Sequence, residues 1–160
     1  MPDNKNDGTM AAVIGRILGE AAFMFADPLE PAARPRLEEW KVIGVSLMFS
    51  GDVSGEFRLW TSPSLARGIA VNMLGLDQAA QVSAEKLADA LKEIVNIIVG
   101  NSLTDLYGDK VAATLGLPRL IDPAALPADY EDPAALWHSI EGEAALCIMN
   151  IGKEPGRTAV

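Results

Sequence analysis

The stretch KEIVNIIVGNSL, Lys92–Leu103, decides how this sequence is read, because polar residues and a glycine interrupt an otherwise apolar run. The interruptions are Glu93, Asn96, Gly100 and Asn101. An α-helix advances about 100° per residue, so Asn96 lies at about 300° and Gly100 at about 340° from Glu93. The apolar residues fall together on another arc of the helix, between about 100° and 200° from Glu93: Leu87, Leu91, Ile94, Val95 and Ile98. The pattern predicts a helix with one buried stripe and one exposed polar face.

Two successive helices are predicted around this stretch. The segment SAEKLADALKEIVNIIVGNSLTDLYG, residues 83–108, begins with the capping residue Ser83 and ends near Gly108. The preceding segment TSPSLARGIAVNMLG, residues 61–75, has Ser62 as its cap, proline at the first helical position and Gly75 as its stop. A further helix is predicted over residues 10–25, where apolar residues recur at helical spacing.

Two hairpins complete the predicted elements. Apolar residues alternate in WKVIGVSLMFS, residues 40–50, and in GEFRLWT, residues 55–61, with Gly51 and Gly55 free to take positive φ in the turn. LWHSIEGEAALCIMNIG, residues 136–152, is interpreted as two strands around Glu141 and Gly142. Prolines break the chain in residues 26–40 and again in residues 115–136, which we expect to form a loop. The predicted class is α+β, a mainly antiparallel sheet with helices packed on it. We expect one domain over residues 10–152, a disordered tail at 1–9 and a C-terminal tail at 153–160.

Composition excludes several kinds of protein. The chain of 160 residues is 49% hydrophobic and has a formal net charge of −9, which opposes binding to nucleic acid or to anionic membranes. No apolar run reaches the roughly twenty residues that span a bilayer, and from the polar N-terminus we expect no signal peptide. The single cysteine, Cys147, cannot form an internal disulfide, and the single histidine, His138, cannot build a histidine-rich metal site. We interpret Cys147 as a small buried residue, His138 as an ordinary strand or loop residue, and the protein as cytoplasmic.

The polar face of the long helix has an ordinary and a functional explanation. Most exposed glutamates and asparagines are simply solvated. However, asparagine is a mediocre helix former, and glycine costs about 1 kcal/mol relative to alanine inside a helix. Their presence on an unconstrained face indicates that another molecule approaches closely there. Asp89 and Tyr107 project to the same side and Ile97 lies beside it, so Asp89, Ile97 and Gly100 are candidate partner contacts.

The chemistry open to Glu93 and Asn96 is limited. An amide has no useful acid–base chemistry, but Asn96 can hold a water by donating through its nitrogen and accepting through its oxygen. A carboxylate on an open helix face is a weak base and a good anchor for a cation. The sequence has no metal-binding cluster, nucleophilic triad or glycine-rich phosphate loop, so a partner must bring most of any catalytic machinery.

The sequence resembles the chemotaxis phosphatases of the CheX/CheC/FliY class, and most of all the short CheX type. The family pattern E-x-x-N-x-x-x-G-N is present as Glu93, Asn96, Gly100 and Asn101. FSGDVSGEFRLWTSPSLARGIAVNMLG, residues 49–75, resembles the family's Gly-Asp-x-x-Gly hairpin and following helix. LPRLID, residues 117–122, and EGEAALCIMN, residues 141–150, resemble its later segments. In contrast to CheC-type members, Glu20 is followed three residues later by Phe23, so only one motif is expected, and the loop DPAALPADYEDPAAL, residues 122–136, is fuller than usual.

The resemblance implies a CheC-like fold and the dephosphorylation of a CheY-like response regulator. In the family the motif asparagine, here Asn96, enters the regulator's active site and orients the attacking water. The motif glutamate, here Glu93, pairs with the regulator's lysine. The resemblance further implies that Mg²⁺ belongs to the regulator, that this chain has no cofactor of its own, and that it forms a homodimer through its sheet.

Two alternatives remain open from the sequence. The same fold is compatible with a non-catalytic module that binds or sequesters a receiver domain or another signalling partner. A small-ligand sensor is the third hypothesis, with only generic support from the loop-rich sheet edge.

Overall fold

A single antiparallel sheet of seven strands forms the centre of the protein, in a computed structural model that describes residues 4–77 and 81–154. The strands are β1 (Ala26–Pro28), β2 (Ile43–Gly51), β3 (Ser54–Thr61), β4 (Ala113–Leu115), β5 (Arg119–Ile121), β6 (Leu136–Ile140) and β7 (Glu143–Lys153). Their order is β1-β6-β7-β3-β2-β4, and β5 also pairs with β2. The helices are α1 (Asn4–Ala22), α2 (Pro63–Leu74), α3 (Ala84–Tyr107) and the short α4 (Leu126–Tyr130). The predicted α+β class with an antiparallel sheet is confirmed.

Both predicted hairpins are present. β2 pairs with β3 from Ile43 opposite Thr61 to Phe49 opposite Gly55, and β6 pairs with β7 from Leu136 opposite Cys147 to Ile140 opposite Glu143. Gly51 takes the expected positive φ of 127°. Gly55 serves a different purpose, because a Cβ there would overlap the carbonyl oxygen of Asn150 on β7. A glycine at this position lets β3 and β7 approach each other.

The main hydrophobic core lies between the inner face of the sheet and helices α1–α3. Alternate residues of β2 and β3 point into it, including Val45, Leu47 and Phe57, which are fully buried. The apolar stripe of α3 faces these strands and, as predicted, Leu91, Ile94, Val95 and Ile98 are buried while Leu87 is half-buried. One side of α3 is therefore fixed by the core.

The outer face of the sheet carries a second core that the sequence analysis did not identify. The side chains of Trp60, Trp137, Leu126, Leu146 and Ile148 are buried there, and Trp40 and Tyr130 pack against Trp137 with ring centroids 5.2 Å away. The residues that cover this face come from two proline-rich segments, residues 29–42 and 121–135. Segments without helical or strand periodicity thus cover the sheet opposite α3.

A buried carboxylate fastens the second segment to the sheet. Asp129 of α4 is 3% exposed and accepts hydrogen bonds from Arg58 Nε at 2.7 Å and Nη2 at 2.5 Å. It also accepts from the indole Nε1 of Trp60 at 2.7 Å. These bonds raise the pKa of Arg58, with the hydrogen bond to Asp129 as the largest cause. The guanidinium therefore stays charged in a half-buried position.

The structure corrects several predicted boundaries. Helix α1 begins at Asn4, so residues 4–9 of the expected tail are helical, and it ends at Ala22 because Phe23 adopts a left-handed φ of 54°. Residues 115–136, expected to be a loop, contain β5 and α4, and β4 ends within them. Strand β1 lies in the first proline-rich segment and pairs with β6. β7 extends to Lys153, while residues 1–3 and 155–160 of the expected tails lie outside the described residues.

The single cysteine and histidine are both buried. Cys147 is a free thiol in the main core, and burial raises its pKa to about 12. His138 on β6 is 4% exposed, and burial lowers its pKa, opposed by a backbone hydrogen bond at Leu136. Both residues are structural components of the sheet.

Candidate functional site

Helix α3 presents Glu93 and Asn96 on its outer side. Both residues are exposed, whereas their neighbours Ile94 and Val95 are fully buried. The helix begins with the Ser83 hydroxyl oxygen accepting from the Lys86 backbone N–H at 3.2 Å, as the sequence predicts. Residues three apart on a helix are neighbours on its surface, so the carboxylate and the amide project side by side.

The side chains of Glu93 and Asn96 have no hydrogen-bond or ion-pair partner among residues 4–77 and 81–154. Their polar atoms are therefore exposed to solvent rather than used by the described part of the chain. A carboxylate and an amide in this state are able to bind groups of another molecule without first breaking internal bonds.

Gly100, one turn after Asn96, is not required by the packing of the described chain. A Cβ placed on Gly100 would meet only the Cδ1 atom of Leu115, at 3.9 Å, which is an ordinary van der Waals contact. Glycine in a helix interior costs about 1 kcal/mol relative to alanine. Gly100 therefore leaves the helix surface beside Asn96 without a side chain. Internal packing does not explain the stability lost by having glycine there.

Asn101, the last residue of the motif, is bonded within the protein. Its Nδ2 donates to the backbone carbonyl of Ile97 at 2.8 Å, and its Oδ1 accepts from Arg16 Nη2 of α1 at 3.3 Å. The same Arg16 nitrogen lies 3.4 Å from Asp105 Oδ2. The two motif asparagines thus differ, since Asn101 links α3 to α1 whereas Asn96 remains exposed. Sequence analysis missed Arg16, because its partner lies on a helix distant in sequence.

The other residues predicted on this face differ in how exposed they are. Asp89 is exposed, one turn before Glu93. Ile97 is half-buried and packs against the main core, so it is less exposed than its position beside the polar face indicated. Tyr107, expected on the same side, is also half-buried and packs against that core.

A groove of about 390 Å³ lies beside Glu93, between α3 and the end of α2. Met73, Leu74 and Leu76 form one wall, and Lys86, Asp89, Ala90 and Glu93 form the other. We call it the Leu74 groove. It brings the predicted residues Asp89 and Glu93 together with apolar residues that sequence analysis did not single out. The only sequence signal was an apolar Met-Leu pair at the stop of α2, which is also typical of buried residues.

The described residues include no group of three or more histidine, cysteine, aspartate or glutamate side chains able to hold a metal ion. None of the described helices is long and apolar enough to cross a membrane. The exposed pair on α3 can bind a cation through Glu93 and orient a water through Asn96, and these are the interactions that its residue types allow.

Comparison with known proteins identifies relatives of the same architecture. The family described as "Chemotaxis phosphatase CheX" matches residues 43–138, more than half of the chain. No curated protein matches the sequence significantly.

Solved structures of CheX and CheC-like proteins share the fold. The chemotaxis protein CheX from Desulfovibrio desulfuricans superposes with a TM-score of 0.67 at 14% identity, covering 92% of this chain and 99% of its own. A chain of the CheX–CheY–BeF₃–Mg²⁺ complex from Borrelia burgdorferi gives 0.66 at 18% identity, covering 96% of this chain and 100% of its own. A CheC-like superfamily protein from a Shewanella species gives 0.67 at 13% identity, covering 93% of this chain and 98% of its own.

The family match includes both the first hairpin and the whole of α3, on which the exposed Glu93 and Asn96 lie. The chain therefore belongs to the CheX family of chemotaxis phosphatases.

Proposed function

We propose that this protein hydrolyses the aspartyl phosphate of a CheY-like response regulator. The observation that carries the proposal is the free, exposed pair of Glu93 and Asn96 on a helix whose opposite side is fixed in the core. A complex containing CheX and CheY is known for the relative from Borrelia burgdorferi, which supports a receiver domain as the partner.

In the proposed reaction, Asn96 enters the phosphorylation pocket of the receiver and holds a water in line with the phosphorus. The water oxygen forms a bond to phosphorus, the bond from phosphorus to the aspartyl oxygen breaks, and inorganic phosphate and a free aspartate carboxylate result. Glu93 pairs with a lysine of the receiver and so fixes the orientation of α3. Phosphoryl transfer depends chiefly on positioning and charge stabilisation, so one oriented amide contributes substantially.

The proposal assigns Mg²⁺ to the receiver. The polar groups of the α3 face are the carboxylates of Asp89 and Glu93 and the amide of Asn96, which do not by themselves complete the octahedral coordination of Mg²⁺. The receiver's ion would neutralise charge on the phosphoryl group, and this chain would supply only the orientation of the water and the ion pair. The protein would need to share the cytoplasm with its receiver.

A phosphate-release assay tests the proposal. Receiver domains from the same organism are phosphorylated, and loss of phosphate is followed with the wild-type protein, with Asn96→Ala and with the control Asn150→Ala. Asn150 is an exposed asparagine on β7, paired with Glu56 on the sheet and away from α3. Misplacing a reacting group costs about 100-fold in rate, so Asn96→Ala is expected to lose acceleration to about this extent while Asn150→Ala keeps it.

The same assay separates hydrolysis from binding alone. Equal decay of every phosphorylated receiver with and without the wild-type protein would refute the phosphatase proposal. If a receiver then still binds, and binds Asn96→Ala equally well, the protein is a non-catalytic binding module.

We also propose that the chain forms a homodimer through the edge of its sheet formed by β4 and β5, the two short strands that pair with β2. Three large apolar side chains are exposed along this edge, namely Met48 (65% exposed), Leu117 (83%) and Leu120 (53%). Large apolar side chains left exposed at a sheet edge favour a protein contact there. Sedimentation of wild type and Leu120→Lys tests this, because a monomeric wild type would contradict it.

A further inference from the structure

The Leu74 groove has a preformed apolar wall. At the end of α2, the Gly75 backbone N–H donates to the Asn72 carbonyl and the Leu76 N–H donates to the Val71 carbonyl at 2.9 Å. Gly75 adopts a left-handed φ of 64°. This is the Schellman arrangement, which places the residue after the glycine against the preceding helical turn. Leu74 is left 49% exposed on this fixed helix end. Leu74 therefore lies on a helix end whose backbone is fixed by hydrogen bonds.

The opposite wall of the groove is acidic. Asp89 and Glu93 lie one turn apart on α3, so their carboxylates are neighbours. Lys86, one turn before Asp89, offsets one of these two negative charges. The groove thus combines an apolar wall with a wall of net negative charge, which fits an apolar side chain flanked by a basic residue.

The position of the groove identifies its occupant. Glu93 belongs both to the groove and to the exposed pair that carries the proposed reaction. In open α/β sheets such as those of receiver domains, the active site lies at the carboxyl ends of the strands and is surrounded by loops. A receiver that places its phosphorylation pocket over Asn96 must bring one of these loops over the Leu74 groove.

We infer that the Leu74 groove is a second contact site for the receiver, which accepts an apolar side chain from a loop beside the receiver's active-site lysine. The inference rests on the proposed function for the identity of the partner. Leu74 binds the receiver equally before and during hydrolysis, because it lies outside the reacting groups. Such uniform binding lowers KM and leaves kcat unchanged.

The test uses Leu74→Gln, which keeps the length and helix propensity of the side chain but removes its apolar character. Leu74→Met is the conservative variant, and Phe25→Gln is the matched control, since Phe25 is 82% exposed and lies near Glu141 rather than beside Glu93. Circular dichroism and urea unfolding verify that each variant is folded. Binding of receiver domains loaded with beryllofluoride and Mg²⁺ is measured by calorimetry, and KM and kcat are measured with phosphorylated receiver.

Burial of the exposed half of a leucine side chain corresponds to a factor of about 3 to 10 in affinity. We expect Leu74→Gln to raise the dissociation constant and KM by this factor with kcat unchanged, and Leu74→Met and Phe25→Gln to match wild type. Unchanged affinity of Leu74→Gln would overturn the inference even if Asn96→Ala abolishes hydrolysis. Failure of wild type to release phosphate would refute the phosphatase proposal alone, because the binding measurement still decides the role of the groove. Failure of every loaded receiver to bind wild type would overturn both.

Discussion

Replacement of Asp129 by alanine is expected to destabilise the fold by about 3 kcal/mol, because removal of one partner of a buried ion pair costs about 3–5 kcal/mol. The carboxylate is 3% exposed and serves three donor atoms, two on Arg58 and one on Trp60. Without it, the buried indole N–H of Trp60 lacks its acceptor, which alone costs about 1–3 kcal/mol.

The lower end of that range follows from the surroundings of Arg58. Its side chain is 20% exposed and keeps an ion pair with Glu56 at 3.1 Å, so its charge is not left wholly unpaired. Loss of the proton offers no relief, since arginine remains protonated in proteins. The double variant Arg58→Met/Asp129→Leu should recover only the part of the loss that comes from the unpaired guanidinium, because replacing both partners of a buried pair by apolar residues is often neutral, whereas the Trp60 N–H still lacks its acceptor.

Urea unfolding monitored by tryptophan fluorescence measures these changes. Glu38→Ala is the matched control, because Glu38 pairs with Arg36 at 3.9 Å with both side chains about three-quarters exposed, at 75% and 76%. Exposed pairs contribute about 0–1 kcal/mol. If Asp129→Ala lowers the free energy of unfolding by less than about 1 kcal/mol, the buried pair does not hold the 121–135 segment on the sheet. That result would also refute the desolvation cost assigned to the unpaired Arg58 and Trp60. Phosphate release per folded molecule should be unchanged, since Asp129 lies across the sheet from α3.

Two further substitutions test the site and the sheet. Gly100→Ala should stabilise the protein by up to about 1 kcal/mol in urea unfolding. It should nevertheless slow phosphate release, because the added methyl group enters the space beside Asn96. A variant that releases phosphate as fast as wild type would contradict the role given to this glycine. For His138, whose pKa burial lowers, stability should be full above the ordinary histidine pKa of about 6.5 and decline as the pH falls below it. The urea midpoint of wild type should therefore drop between about pH 7 and pH 5.5, whereas the midpoint of His138→Leu should drop less. If the midpoints of both proteins fall equally with pH, His138 does not cause the pH dependence of stability in this range.

The parts of the fold that sequence analysis predicted correctly are those encoded locally. The stripe of α3, the Ser62 and Ser83 caps and the turn at Glu141 and Gly142 each depend on residues within one or two turns of chain. The second core depends on contacts between distant segments, such as Trp60 with Leu126. Asp129 stands in an acidic, proline-rich stretch that is typical of a solvated loop, and nothing local indicates that Arg58 and Trp60 bury it.

In the candidate site, too, the features encoded locally could be predicted and those that depend on distant segments could not. Periodicity placed Glu93 and Asn96 on the exposed side of α3, and the resemblance supplied their proposed roles. The sequence did not reveal the Leu74 groove, because the groove depends on how the end of α2 lies against α3. Nor did it distinguish Asn96 from Asn101, because only the position of Arg16 on α1 shows that Asn101 is bonded internally.

The internal bonds of Asn101 bear directly on how an exposed amide can be effective. Less entropy is lost on binding when the backbone that carries an orienting group is already held in place. Asn96 has no bonds of its own in the described structure, but the backbone that carries it is fixed on two sides, by Ile94 and Val95 in the core and by the link from Asn101 to Arg16. The protein thus holds the backbone firmly and leaves the side chain of Asn96 free, which is the arrangement that the proposed reaction requires.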